Sequence, residues 1–201
     1  VYGGVKHITD ENGAETPVQI VRASRTNGAD KWDSLFVAKV PALGYRLYWV
    51  YLGEIGQTTH GDNRPLLTPA DNPVSETSPL KASACRLEND KIALTIDEKT
   101  GMPRSLIHKA SGKETLAAPA RAQLFDVSHC DTWAHMVFKF DKAGECFVES
   151  RCTVVENGPV RATLRVTTRC GESTLTQDYS LTAEGDQIEV RARLDMQKPL
   201  H

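Results

Sequence analysis

The chain has 201 residues, 40% of them hydrophobic and 25% charged, with a formal net charge of −2 and a pI near 6.3. That is the composition of a folded globular protein, and the length suits one large β domain or two smaller ones. No block of Lys or Arg marks a nucleic-acid or anionic-membrane surface, and the apolar runs fall far short of the ~20 residues of a membrane helix.

The first predicted unit spans residues 1–57. Glu11-Asn12-Gly13 forms a turn, and an aromatic run follows at 45–51. Alternation puts Tyr45, Leu47, Trp49 and Tyr51 on one strand face and Tyr48 on the other. Rings beside Leu usually fill a core, so this face is expected to be buried; the alternative is a platform for stacking on sugar rings. Gly53-Glu54-Ile55-Gly56 is too short for a phosphate or dinucleotide loop and is expected to end a strand. A short unit of this size buries a thin core alone and reads as part of a small β-sandwich.

Residues 58–83 carry Pro65, Pro69, Pro73 and Pro79 among Thr, Ser, Asn and Asp. Proline removes ladder donors and fixes φ, which predicts an extended connector.

The second unit, 84–201, holds the clearest period-2 patterns. Ile92, Leu94 and Ile96 share a face, as do Val160, Ala162, Leu164 and Val166, against outward Arg161, Thr163 and Arg165. Leu175, Gln177, Tyr179 and Leu181 repeat the pattern, and Ile188, Val190, Ala192 and Leu194 alternate with Glu189, Arg191 and Arg193. Lys99-Thr100-Gly101, Ser111-Gly112, Asn157-Gly158-Pro159 and Glu184-Gly185-Asp186 each supply a residue that tolerates positive φ. No segment sustains helical spacing, so the predicted fold is all-β, with antiparallel hairpins meandering as in a sandwich.

Five cysteines (Cys85, Cys130, Cys146, Cys152, Cys170) without a CxxC pair fit a reduced, cytoplasmic protein. Cys146 and Cys152, within one extended run, would lie about 20 Å apart along a strand, too far to bridge. Val1 opens the chain without an initiator Met or an apolar leader, as in a processed protein or a domain of a longer one.

Candidate chemistry centres on His129-Cys130-Asp131-Thr132-Trp133-Ala134-His135. Imidazoles and a carboxylate at this spacing can ligate zinc through His129, Asp131 and His135. Two other readings stand beside that one: a polar loop facing a ligand or another domain, and a surface loop anchored by Trp133 in the core. Most of the 26 acidic residues fall in turns or on outward strand positions, so no pair of glycosidase carboxylates can be selected. There is no G-x-S-x-G elbow, P-loop or dinucleotide fingerprint.

Several phrases occur in an informative order: Val40-Pro41-Ala42-Leu43-Gly44-Tyr45, Leu87-Glu88-Asn89-Asp90, Gly101 through Lys109, Asp131-Thr132-Trp133, Val155 through Ala162, and Gln177 through Leu194-Asp195. In this the chain resembles the β-rich C-terminal half of family-38 glycoside hydrolases, the retaining α-mannosidases. The family continues Asp-Trp at the last phrase, whereas here Met196 follows Asp195. The resemblance implies a small β-sandwich followed by the first part of a larger sandwich of the galactose-mutarotase type. It also implies an upstream catalytic domain of the same polypeptide that holds zinc and an aspartate nucleophile, with no catalytic residue and no cofactor in the present chain. Asp131, Trp133 and His135 then become candidates for one wall of the substrate cleft. The resemblance further implies β domains that bind a mannoside or other carbohydrate and pair as a homo-oligomer. A stand-alone carbohydrate-binding β-sandwich is the competing reading.

Overall fold

The computed structural model describes residues 3–22, 32–54, 78, 80–127, 130, 133 and 135–197. Every helix or strand among them is a β-strand, so the fold is all-β as predicted. The connector expected at 58–83 lies largely outside the described residues; of that span, Lys81–Ser83 is a strand.

The first part comprises β1 (Gly3–Asp10), β2 (Glu15–Thr16), β3 (Val18–Arg22), β4 (Trp32–Phe36) and β5 (Tyr48–Glu54). A three-stranded antiparallel sheet runs in the order β2-β1-β5, and β3 and β4 form a separate hairpin. Val5 and Ile8 of the sheet meet Ile20 of the hairpin, and Val18, Phe36 and Tyr48 pack around them. This is a thin core, as expected of so few strands.

The aromatic strand differs from its prediction. Tyr48 faces the small core, with its ring edge-on to Phe36, whereas Trp49 is 59% exposed and Tyr45, Leu47 and Tyr51 are exposed as well. Tyr51 instead stacks on His7 of the neighbouring strand at 4.1 Å. β5 is an outer strand of its sheet, and no described layer covers that face.

The second part is a sandwich. One layer runs β10-β9-β8-β7-β6, from β6 (Lys81–Ser83), β7 (Arg86–Glu88), β8 (Ile92–Ile96), β9 (Pro103–His108) and β10 (Lys113–Glu114). The other runs β13-β14-β15-β16, from β13 (Val148–Asn157), β14 (Arg161–Cys170), β15 (Ser173–Thr182) and β16 (Glu189–Asp195). A short hairpin of β11 (Gln123–Phe125) and β12 (Ala143–Cys146) joins them in sequence. Leu80, Leu87, Ile92, Leu94 and Ile96 interlock with Ala162, Leu164, Val166, Tyr179 and Leu181 to form the main core. Burying each such aliphatic side chain contributes about 1.5–3 kcal/mol.

The inward faces predicted for β8 and β14 are all buried. β16 departs from its pattern: Val190 and Leu194 are exposed, and among the described residues none of this outer strand packs in the main core. Cys146 and Cys152 lie in separate strands rather than one run, and none of the five cysteines is in a disulfide.

Gly13, Gly101 and Gly112 take positive φ at three of the predicted turns, while Gly158 and Gly185 do not. Gly158 serves a close approach instead. A Cβ there would collide with the side chain of Gln19, which is 1% exposed and whose Oε1 accepts from the backbone N–H of Val160 and Arg161 at 3.1 and 2.7 Å. Gln19 thus ties the first part of the chain to the β13–β14 turn.

Candidate functional site

The loop between β11 and β12 carries the cluster singled out from sequence. His129, Asp131, Thr132 and Ala134 lie outside the described residues. Trp133 is 81% exposed, which removes the reading in which it anchors the loop in the core. His135, Met136, Phe138 and Phe140 are exposed beside it, and Phe140 tilts against Phe125 at 5.7 Å. The described part of the loop therefore presents apolar rings and an imidazole outward. Among the described residues no group of three His, Cys, Asp or Glu is placed to hold a metal. The zinc alternative of His129, Asp131 and His135 rests on two positions outside them.

The structure assembles a second constellation on the outer face of the four-stranded sheet. Strand register brings the outward residues into cross-strand rows: Arg165 opposite Asp178, Thr163 opposite Ser180, and Arg191 opposite Asp178 from the far side. Arg165 donates through Nε and Nη2 to the two oxygens of Asp178, at 2.7 and 2.8 Å. Arg161 clamps Glu156 in the same two-pronged way, at 2.7 Å for each bond. Such fork-to-fork pairs fix both planes, so the charged groups are oriented in advance.

Between the two clamps, the Thr163 hydroxyl donates to Glu156 at 2.8 Å and lies 2.9 Å from the Ser180 hydroxyl. Thr163 is only 5% exposed, so these hydroxyls form a floor. Glu189 and Arg191 of β16 and Val155 of β13 complete a shallow, open depression of about 230 Å³.

Burial works to raise the Glu156 carboxyl, but the hydrogen bonds from Arg161 and Thr163 outweigh it and hold the group below its ordinary value. Arg165 is raised by its bonds to Asp178, and Arg161 by its bonds to Glu156. Glu156 is therefore a poor general acid, a role that requires a raised carboxyl. The arrangement is instead suited to presenting hydrogen-bond donors and acceptors at fixed positions.

Sequence alternation marks Arg161, Thr163, Arg165 and Glu189 as outward, which by itself reads as a solvated face. Which outward residues become neighbours depends on register, and that information is absent from any one strand.

Residues 87–199 match the family model described as glycosyl hydrolases family 38 C-terminal domain. No curated protein and no solved structure matches the chain.

Proposed function

Because the chain belongs to glycosyl hydrolase family 38, through the C-terminal domain that occupies more than half of it, we propose that it is the non-catalytic β portion of a retaining α-mannosidase. The match over 87–199 is the observation that carries this reading. In this proposal a small β unit (1–57) and a connector (58–83) precede the large sandwich (84–201). A catalytic domain of the same polypeptide supplies the zinc and the aspartate nucleophile, and hydrolysis passes through a covalent glycosyl-enzyme. The Asp131–His135 loop faces the catalytic domain and one wall of its cleft. The exposed apolar side chains of Trp133, Met136 and Phe138 support that placement, since clustered exposed apolar groups mark contact surfaces. The enzyme works in the cytoplasm and pairs through its β domains.

Two measurements test the proposal. The chain alone, with or without added zinc, is expected to leave an aryl α-mannoside intact. In the complete enzyme, Asp131→Ala or His135→Ala is expected to lower kcat/KM by about 10-fold, equivalent to about 1.4 kcal/mol of transition-state stabilisation. Unchanged kinetics in both variants would remove the loop from the cleft.

The exposure of Trp49 and Trp133 favours a second reading, a carbohydrate-binding module that functions without a catalytic domain. It requires sugar-dependent quenching of tryptophan fluorescence in the isolated chain.

A further inference from the structure

We propose that the depression on the outer face of β13–β16 binds a single neutral pyranose unit of a glycan through its hydroxyl groups. The charges point to a neutral ligand. Arg161, Arg165 and Arg191 face Glu156, Asp178 and Glu189, so the formal charge of the lining sums to zero. A phosphate or sulfate would meet three carboxylates, and a polyamine three guanidinium groups. A sugar hydroxyl donates and accepts at once, which suits a surface where the two kinds of group alternate.

Unused bonding capacity is also present. Arg165 commits two of its five N–H donors to Asp178, and each Asp178 oxygen accepts one bond from it. Arg191 lies on the open side with its side chain 76% exposed, and Glu189 Oε1 is 3.5 Å from its Nη2, at the limit of a hydrogen bond. The floor hydroxyls of Thr163 and Ser180 supply short-range polar contacts between the clamps. Because the ion pairs already fix the clamps, little side-chain freedom is lost when a ligand arrives. Val155 is the one apolar lining residue and offers a surface for a C–H face.

Size limits the ligand to one ring. The depression measures about 230 Å³, below the ~300–1,000 Å³ of pockets that enclose drug-sized molecules. It is also open, so the remainder of a glycan can run out along the sheet past Arg193 and Asp195, which line a second hollow with Thr174 and Thr176. A shallow polar site of this kind is expected to bind with a dissociation constant on the order of 1–10 mM.

The test is an NMR titration of the full chain with methyl α-mannopyranoside and, separately, methyl α-glucopyranoside, following backbone amides. The mannoside is chosen on the reading above, but the site does not depend on it: saturable binding of either sugar supports the proposal. Shifts are expected at Thr163, Asp178 and Ser180. Arg191→Ala, at an exposed position where folding is not at risk, is expected to weaken binding about 5-fold. Ser180→Ala combined with it is expected to remove saturation. The proposal is overturned if neither sugar gives saturable shifts at these amides, or if glycerol produces the same shifts. It is equally overturned if inorganic phosphate binds there more tightly than both sugars, or if Arg191→Ala changes nothing.

Discussion

Asn89 carries one of the densest sets of bonds in the molecule. It is fully buried at the end of β7, where its Oδ1 accepts from the N–H of Lys91 and Ile92 at 2.9 and 3.0 Å. Its Nδ2 donates to the carbonyls of Thr182 and Gly185 at 2.9 and 2.7 Å, and more weakly to Ala183. One side chain thus closes the β7–β8 turn and pins it to the loop leaving β15, across the two layers. Asn89→Asp keeps the acceptors but removes the donors and buries a charge. It is expected to cost about 3 kcal/mol in denaturant unfolding, and Asn89→Ala a similar amount. A cost below about 1 kcal/mol for both would show that water replaces these bonds.

Glu114 makes a different residue-level case. Its carboxylate accepts from the Ser105 hydroxyl at 2.5 Å and from the N–H groups of Leu106 and Leu116 at 2.8 and 3.0 Å. The Ser105 bond, followed by those backbone donors, pulls the carboxyl from an ordinary 4.5 down to about 2. A depressed folded value means the ionised form stabilises the fold. That contribution is complete above pH 4.5 and disappears as pH falls toward about 2. Glu114→Gln is therefore expected to flatten the acid limb of stability against pH in this window. A side-chain titration midpoint at the ordinary value would contradict the assignment.

At the scale of elements, two edge strands, β5 and β16, show how much of the fold was legible. Alternation correctly paired the inward residues of β8 and β14, because those strands sit between neighbours and under an opposing layer. The same rule misplaced Trp49 and Tyr51 on β5 and Val190 and Leu194 on β16. Period 2 shows which residues share a face, but it cannot show whether anything covers that face. The polar depression was illegible for a related reason. Arg165 and Asp178 are 13 positions apart and meet only through the β14–β15 register. The segment around Trp133 and His135 lacks any periodic pattern, so the exposure of these two residues had no signal in the sequence.

β16 also carries a consequence for behaviour in solution. It is the last strand of its sheet, with Leu194 51% exposed, Val190 exposed beside it, and no partner strand on its outer side among the described strands. An open edge joined to an apolar face is a template for pairing with another chain. The chain is expected to self-associate in sedimentation velocity, and Val190→Lys with Leu194→Lys is expected to shift it toward monomer. Since both positions are exposed, the stability of each subunit should change by no more than about 0.5 kcal/mol per substitution. Association that persists in the double variant would move the contact to another surface, such as the rings of β5.

At the scale of the whole molecule, the question is what holds the first part of the chain to the sandwich. The ion pair of Lys39 and Glu184, at 3.2 Å, joins two exposed side chains and contributes about 0–1 kcal/mol. Gln19 is in a stronger position, since it is buried and satisfies two N–H groups at the start of β14. Its Nε2 is buried without a hydrogen-bond partner, so the contact includes an unfavourable part that offsets some of the gain. Gly158 leaves the space that the Gln19 amide fills, and the two residues therefore act as a unit. Gln19→Ala is expected to destabilise the chain by about 2 kcal/mol and to speed hydrogen exchange at Val160 and Arg161. Gly158→Ala should do likewise, by pushing the amide out of its seat. With Gln19 already truncated, the three atoms nearest the added methyl are gone, so the double variant should cost less than the sum of the two. The expected coupling is about 1–2 kcal/mol. Strictly additive costs would mean that the two parts of the chain are held together elsewhere, and that Gly158 is required only by its own turn.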